Sequence, residues 1–177
     1  IRLMSRLYSQ HYRVTDCSKL SDFYVDLLGM KNFVSTTISS SFGYSRDQCQ
    51  LIFATEKADK YVSASTDQYW KIGITLQNLD VAVDYLKSEG ISVTAPYQFQ
   101  EIGYMSHIVD PNGFAIELLQ QGFEGNELPA PAGHPIGQQA TLAHLTYRVT
   151  DIEKAKTYFE DDLGMRLLSI QPVELER

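Results

Sequence analysis

The side chains that can do chemistry alternate along three predicted strands. His11 and Arg13 share one face of the first strand with Ser9. Lys71 lies on one face of the second strand, and Glu117 on one face of the third. Imidazole and carboxylate groups bind divalent metal ions or move protons, whereas lysine and arginine bind anions. Because a buried, unpaired carboxylate is costly, Glu117 requires a cation opposite it if its strand is covered.

The bulk composition limits the class of protein. The 177 residues suffice for one domain, or for one domain and a fragment, and 44% of them are hydrophobic, as in proteins with a buried core. A net charge of -7 argues against a nucleic-acid scaffold, which presents a basic face. No apolar run approaches the roughly 20 residues that cross a bilayer. We therefore expect neither nucleic acid nor a membrane as partner.

Two features predict the compartment. Cys17 and Cys49 are too few for a disulfide framework, and both are expected to be reduced thiols. Ile1 to Arg6 lack the basic, apolar and small-residue pattern of a signal peptide. We therefore predict a cytoplasmic protein.

An internal repeat organises the chain. The segment from His11 to Asp16 returns in the segment from Thr146 to Asp151, and Leu28-Gly-Met returns in the same register as Leu163-Gly-Met. A weaker copy of the plan lies within Ile72 to Gly90. A single register held over this length indicates duplication of a shorter unit.

Hydrophobic periodicity predicts the elements of each unit: an alternating strand, an amphipathic helix, then short strands. In the second unit, the short strands are predicted at Ser92–Ala95, Gly103–Val109 and Phe114–Leu119. A third unit begins with a strand, which is followed by a helix predicted over Ile152–Leu163.

The elements divide the chain into modules. Residues 1–120 form a first module of two units, about 1–60 and 68–120. The aperiodic segment 121–139, rich in Gly and Pro, is predicted to be a linker. Residues 140–177 begin a second, incomplete module. The apolar face of its helix needs further strands or another chain, so we expect a homodimer through this part of the protein.

The chain resembles the vicinal-oxygen-chelate superfamily of glyoxalase I, bleomycin-resistance proteins and extradiol dioxygenases. The residues that carry the resemblance are Tyr12-Arg-Val-Thr-Asp16, Leu28-Gly-Met30 and Val109-Asp-Pro-Asn-Gly-Phe-Ala-Ile-Glu-Leu118. The resemblance implies an α+β fold in which paired βαβββ units form a cupped mixed sheet with helices on the outer face. The ligand lies in the cup, often with a divalent metal held by His, Gln or Glu. The fold alone does not fix the reaction.

The resemblance implies a ligand at particular positions of the first module. Those positions hold Ser9, Lys71, a residue within Gln50–Phe53, and Glu117. Only Glu117 is a good metal ligand, because serine binds metals poorly and lysine is an ammonium at neutral pH. We therefore expect no metal in the first module alone, and a Lys71–Glu117 ion pair where relatives hold the metal. His11 either replaces the missing ligand or lines the cup as a hydrogen-bonded residue.

The second module begins with the better ligand set. His144 occupies the first ligand position, with partners expected from strands that follow residue 177. The metal, if bound by His144 and Glu117, would be Fe, Zn, Ni or Mn. Arg13 and Arg148 match the arginine that grips a substrate carboxylate in glyoxalase I-like relatives. The alternative for either arginine is a structural ion pair with Asp16 or Glu117.

The sequence is compatible with three functions. The first is a metal-dependent lyase, isomerase or ring-cleaving dioxygenase that acts on a small molecule with vicinal oxygens, with the metal in the second module and Glu117 moving a proton. In that case Arg13, Arg148, His11 and Lys71 bind the substrate. The second is a metal-free binding protein, as among bleomycin-resistance relatives. The third is a non-catalytic structural or pairing module.

Overall fold

The computed structural model describes residues 7–56, 59–122, 125 and 128–171. The first sheet has the strand order β1-β4-β3-β2. Its strands are β1 (Ser9–Val14), β2 (Lys31–Ser35), β3 (Ser39–Gly43) and β4 (Gln50–Thr55). A π-helical segment, Asp22–Leu27, connects β1 to β2. Strands β1 and β4 run parallel, while β2, β3 and β4 are antiparallel neighbours.

The second sheet repeats this plan and gains one strand. Its strands are β5 (Tyr69–Leu76), β6 (Tyr97–Phe99), β7 (Gly103–Val109), β8 (Ala115–Gln120) and β9 (Thr141–Tyr147). Their order is β6-β7-β8-β5-β9. Helix α1 (Leu79–Ser88) begins at Asn78, whose side chain accepts a hydrogen bond from Val81 N as an N-cap. The predicted α+β fold of paired βαβββ units is confirmed.

One predicted strand is wrong. Residues Ser92–Ala95 are irregular. The first short strand of that unit is instead β6, which is nearer to β7 in sequence. Thr94 N still donates to the His107 carbonyl, but the Thr94 carbonyl accepts from the Ser106 hydroxyl and His107 N donates to Thr94 Oγ1, so side-chain hydroxyls take part of the backbone pairing here. Pro96 then removes a backbone donor. These local bonds compete with regular strand pairing.

An aromatic cluster joins the two sheets. The ring of Tyr12 on β1 stacks on Phe53 of β4 at 5.0 Å and contacts Phe114, which precedes β8, at 4.6 Å. The Tyr24 hydroxyl donates a 2.9 Å hydrogen bond to Asp110 in the turn between β7 and β8. Asp110 is buried and also accepts from Phe114 N. Burial raises the pKa of Asp110, although these hydrogen bonds oppose the rise.

The second copy of the repeat has the same local geometry as the first. Helix α2 (Ile152–Thr157) continues into a π-helical segment, Tyr158–Asp162, whose positions match Phe23–Leu27 of the first π-helical segment. A left-handed glycine ends each copy, Gly29 with φ 69° and Gly164 with φ 65°. Glycine adopts this conformation without a Cβ penalty.

The apolar stripe of α2 is uncovered. No residue of this helix is buried, and Ile152 is 61% exposed. Leu168 and Ile170, which follow it, are also exposed. The homodimer through this part remains a prediction. Among the described helices, none is long and apolar enough to span a bilayer.

The Tyr24–Asp110 contact generates the first prediction. Tyr24→Phe should lower the free energy of unfolding by about 1.5–3 kcal/mol, because it removes a hydrogen bond to a buried carboxylate. Urea denaturation at neutral pH measures this change. The matched control is Tyr85→Phe, whose hydroxyl bonds to the Asp26 carbonyl at an exposed position and should cost less than about 0.5 kcal/mol. Equal losses in the two variants would contradict the argument.

Candidate functional site

Strand register brings Glu117 to the centre of one face of the five-stranded sheet. Glu117 on β8 lies opposite His107 of β7 and opposite Gly73 of β5. On the other side of β5, Gly73 lies opposite His144 of β9. Lys71 lies two residues before Gly73 and so shares its face. Four strands thus contribute neighbouring side chains to one point.

Three donors converge on the Glu117 carboxylate. The Lys71 ammonium donates to Glu117 Oε2, and the predicted ion pair is therefore observed. His107 Nε2 lies 3.1 Å from the same oxygen, and His144 Nε2 lies 3.2 Å from Oε1. Lys71 Nζ is also 3.1 Å from His107 Nε2. The His107 nitrogen can accept from lysine or donate to the carboxylate according to its tautomer. We call these four residues the Glu117 cluster.

The cluster keeps a buried carboxylate ionised. The side chains of Glu117 and Lys71 are only 6% and 10% exposed. Burial by itself raises the pKa of Glu117, but hydrogen bonds from His107, His144 and Lys71, together with the lysine charge, lower it well below its usual range. Glu117 is therefore an anion whose charge is balanced within the protein.

The absence of a side chain at Gly73 makes room for His144. A Cβ at Gly73 would lie 2.1 Å from His144 Cε1 and 2.4 Å from Nε2. The imidazole therefore lies directly over the β5 backbone, which lets a residue of β9 reach across β5 to Glu117 on β8.

Two aromatic rings stand beside the cluster. Trp70 lies at a register shift of β5, with Lys71 Nζ 4.5 Å and the Arg148 guanidinium carbon 5.0 Å from the centre of its ring. Tyr97 on β6 stacks on the His107 imidazole at 24° and 6.2 Å. Trp70 is 41% and Tyr97 42% exposed. Exposed aromatic faces of this kind can contact a ligand.

Among the described residues, each of two cavities is lined by one histidine of the cluster and by neither Glu117 nor Lys71. A cavity of about 400 Å³ is bounded by His107, Ile108, Ala115 and the segment 90–94. Another of about 280 Å³ is bounded by His144 and by residues of β4, β5 and β9. Both are near the lower end of the range for small-molecule sites.

The predicted binding arginines are already engaged elsewhere. Arg148 Nη1 lies 3.3–3.5 Å from the backbone carbonyls of Ala64, Asp67 and Tyr69. Arg148 therefore links the segment that leads into β5 to the end of β9. Arg13, on the other sheet, lies 3.5 Å from Glu56 and is largely exposed. Arg13 thus pairs with Glu56 rather than with Asp16 or Glu117, and the contacts of Arg148 are with backbone carbonyls rather than with a carboxylate. Carboxylate binding by either arginine remains a prediction.

The other sheet holds the remaining predicted residues. His11 Nε2 bonds to Ser9 Oγ at 3.0 Å on β1, outside the Glu117 cluster. Gln50 lies opposite Ser9 in register and is buried, and its Oε1 accepts from Ser41 Oγ at 3.0 Å. This pair of positions presents no strong metal ligand.

The Glu117 cluster does not fit a metal ion as it stands. Its nitrogen and oxygen donors are of the right chemistry. However, the Lys71 ammonium already contacts Glu117 Oε2 and lies within 3.1 Å of His107 Nε2, so a second cation there would be repelled. Within the part of the chain that the structure describes, no group of three or more His, Cys, Asp or Glu is arranged to hold a metal.

Some members of the cluster were missed at the level of sequence. His107 lies at none of the ligand positions that the resemblance implies, although the Asp110–Gly113 turn fixes the β7–β8 register and could have placed it opposite Glu117. Partners of His144 were expected only beyond residue 177, yet Glu117 contacts it. No pattern in the sequence marks Gly73 or the exposed Trp70.

The buried ion pair generates a second prediction. Glu117→Gln should lower the free energy of unfolding at neutral pH by about 3–5 kcal/mol, because the Lys71 ammonium is left buried without its counter-charge. The control is Lys71→Met combined with Glu117→Gln, which removes both charges and should recover most of the loss.

The direction of the Glu117 pKa shift predicts how the stability loss in Glu117→Gln depends on pH. The folded-state pKa of Glu117 is below the unfolded value, so its stabilisation is complete above the ordinary glutamate pKa of about 4.3 and is lost as the pH falls toward the folded pKa. The stability difference between wild type and Glu117→Gln should therefore shrink below about pH 4. A difference that grows in acid contradicts the lowered pKa.

Gly73 generates a third prediction. Gly73→Ala should push the His144 ring away from Glu117, so that the 3.2 Å contact is lost while the sheet persists. A crystal structure of the variant, or imidazole nitrogen chemical shifts of His144, measures this displacement. The control is Ala143→Gly, next to His144, which removes a methyl group and adds no atom near the His144 ring. Gly90→Ala is not a suitable control, because Gly90 has φ 80° and an alanine there would be strained. An unmoved His144 in Gly73→Ala would contradict the steric argument.

Comparison with known proteins identifies the family. A model of the glyoxalase/bleomycin resistance protein/dioxygenase superfamily matches residues 7–118. Lactoylglutathione lyase GLX1 of Arabidopsis thaliana is 28% identical over 168 residues, which are 89% of this chain and 54% of that protein. The chain thus spans about half the length of the curated relatives it matches.

Solved structures share the fold. Glyoxalase I from Zea mays has a TM-score of 0.72 at 19% identity, covering 95% of this chain and 58% of its own. TnmS3, an antibiotic binding protein from Streptomyces sp. CB03234, has a TM-score of 0.54 at 18% identity, covering 68% and 98%. Because the family model matches more than half of the chain, this protein belongs to the glyoxalase/bleomycin resistance protein/dioxygenase superfamily.

Proposed function

We propose that this chain is part of a glyoxalase I-like lyase, and that the Glu117 cluster is its catalytic centre. The observation that carries the proposal is a buried, ionised carboxylate that contacts Lys71, His107 and His144, of which the two histidines each line a cavity. The relatives named as lactoylglutathione lyases support the class of substrate, which is the adduct of a thiol with a 2-oxoaldehyde. Its isomer is a thioester of a 2-hydroxy acid.

The reaction is an internal proton transfer. Glu117 removes the proton from the carbon that bears sulfur and hydroxyl, and the C–H electrons form the double bond of an enediolate as the adjacent carbonyl oxygen becomes anionic. The proton then returns to the adjacent carbon, while the hydroxyl proton passes from one oxygen to the other. The product is an isomer of the substrate, so no oxidant or reductant is required.

Lys71 has two roles in this scheme. It lowers the pKa of Glu117, which makes the resting carboxylate a weak base. When the ammonium turns from Glu117 to the developing oxyanion, it stabilises the enediolate and frees the carboxylate to take the proton. In this scheme His107 and His144, which also contact Glu117, donate hydrogen bonds to the other oxygen of the substrate.

The metal-dependent form of this function, with Fe, Zn, Ni or Mn held by His144 and Glu117, is a different proposal. It requires Lys71 to leave Glu117 and further ligands to join. A chelator distinguishes the two forms, because only the metal-dependent form loses its turnover in EDTA.

A metal-free binding protein is the second candidate function. The exposed rings of Trp70 and Tyr97 favour it, since a planar ligand can stack on them without any reaction. The fold shared with TnmS3 supports the same alternative. Trp70 is the sole tryptophan of the chain, so its fluorescence reports ligand binding directly. Saturable quenching without turnover would favour this candidate.

The test of the lyase proposal is turnover of the adduct of glutathione with a 2-oxoaldehyde, followed by thioester absorbance in the presence of EDTA. We expect Glu117→Gln to lower kcat by about 10²–10⁴-fold, because the general base is lost. Lys71→Met should lower kcat by about 10²–10³-fold, because the oxyanion donor is lost. Lys87→Met, on the exposed end of α1, is the matched control and should retain the wild-type rate. Wild-type turnover in Glu117→Gln would overturn the proposal.

A further inference from the structure

We infer that the single residue Lys71 withholds this face of the sheet from divalent cations, and that one substitution, Lys71→His, converts the Glu117 cluster into a metal site. The inference concerns the centre of the proposed function. Its readout is metal binding rather than turnover, so the failure of one is distinguishable from the failure of the other.

Geometry supports the inference first. Lys71 Nζ contacts Glu117 Oε2 and lies 3.1 Å from His107 Nε2, while His144 Nε2 contacts the other carboxylate oxygen. The cation therefore contacts the carboxylate and one imidazole, and the second imidazole contacts the other oxygen of the same carboxylate. Apart from the ammonium, every group in the cluster is of a type that coordinates zinc, nickel, cobalt or iron.

Charge supports it independently. A carboxylate that is 6% exposed requires a positive charge, and the Lys71 ammonium supplies one without any ion from solution. An ammonium has no lone pair, so it neutralises Glu117 but cannot coordinate a metal. The same side chain thus satisfies the carboxylate and excludes a competing cation.

The number of ligands explains why one change is enough. The two histidines and Glu117 do not by themselves form a metal-holding group among the residues that the structure describes. A histidine in place of Lys71 both removes the competing charge and adds a nitrogen donor, giving four side chains of the kind found in tetrahedral sites.

Cobalt titration provides the experiment. Co²⁺ gives visible absorption when coordinated by protein nitrogen and oxygen, and it quenches a nearby indole. Trp70 is next to position 71 and 4.5 Å from the present ammonium, so its fluorescence reports occupancy. We expect Lys71→His to bind one equivalent of Co²⁺, with absorbance and quenching that saturate together. Lys71→Met, which removes the charge but adds no donor, should bind at least about 10-fold more weakly.

Further variants assign the site. Adding Glu117→Gln to Lys71→His should weaken Co²⁺ binding at least about 10-fold, because a ligand is lost. Circular dichroism records folding throughout, and a Lys71→His chain that folds only with Co²⁺ counts as a metal-binding result. Lys71→Glu provides a second donor variant if Lys71→His does not fold. The inference is overturned if wild type binds one equivalent that Glu117→Gln abolishes, or if neither donor variant binds Co²⁺.

Discussion

A carboxylate buried in the middle of a sheet must be matched by donors and by positive charge, and Glu117 imposes that condition on its surroundings. Each strand next to β8 or β5 contributes to meeting it: β5 provides Lys71, β7 provides His107 and β9 provides His144. Because β9 belongs to the second copy of the repeat, the condition links the two copies. The pairing of β5 with β9 therefore joins them through polar chemistry as well as through backbone hydrogen bonds.

The polar cluster and the hydrophobic core lie on opposite faces of β5. On the opposite face of β5, Ile72, Ile74 and Leu76 are almost completely buried in the hydrophobic core. Because alternate residues of a strand face opposite sides, fixing this apolar set also fixes the direction of Lys71 and Gly73. A slip of one residue in β5 would exchange the ion pair for an aliphatic side chain. The hydrophobic core thus determines where the polar centre forms.

Much of this could be predicted from the sequence, and the limits have physical causes. Alternation fixes the face that Lys71 and Glu117 each occupy on their own strands, and the resemblance puts both at ligand positions of one cup, so their ion pair could be predicted before the fold was known. His107 joins the cluster only through the register of β7 with β8, which is a property of a pair of strands. Trp70 is exposed because β5 shifts register beside it, and hydropathy alone would place a tryptophan in the core. In the segment at Ser92, the hydroxyls of Thr94 and Ser106 took part of the backbone pairing that a strand needs, which composition does not reveal.

The two π-helical segments carry information about the history of the chain. A π-helical turn is a rare and energetically unfavourable departure from the α-helix. It nevertheless occurs at matching positions in both copies, each time followed by a left-handed glycine, Gly29 in one and Gly164 in the other. Two independent insertions at the same register are far less economical than one. The widened turn therefore belongs to the duplication that separates these two copies by 135 residues, and helix α1 of the unit between them, a regular α-helix, does not share it.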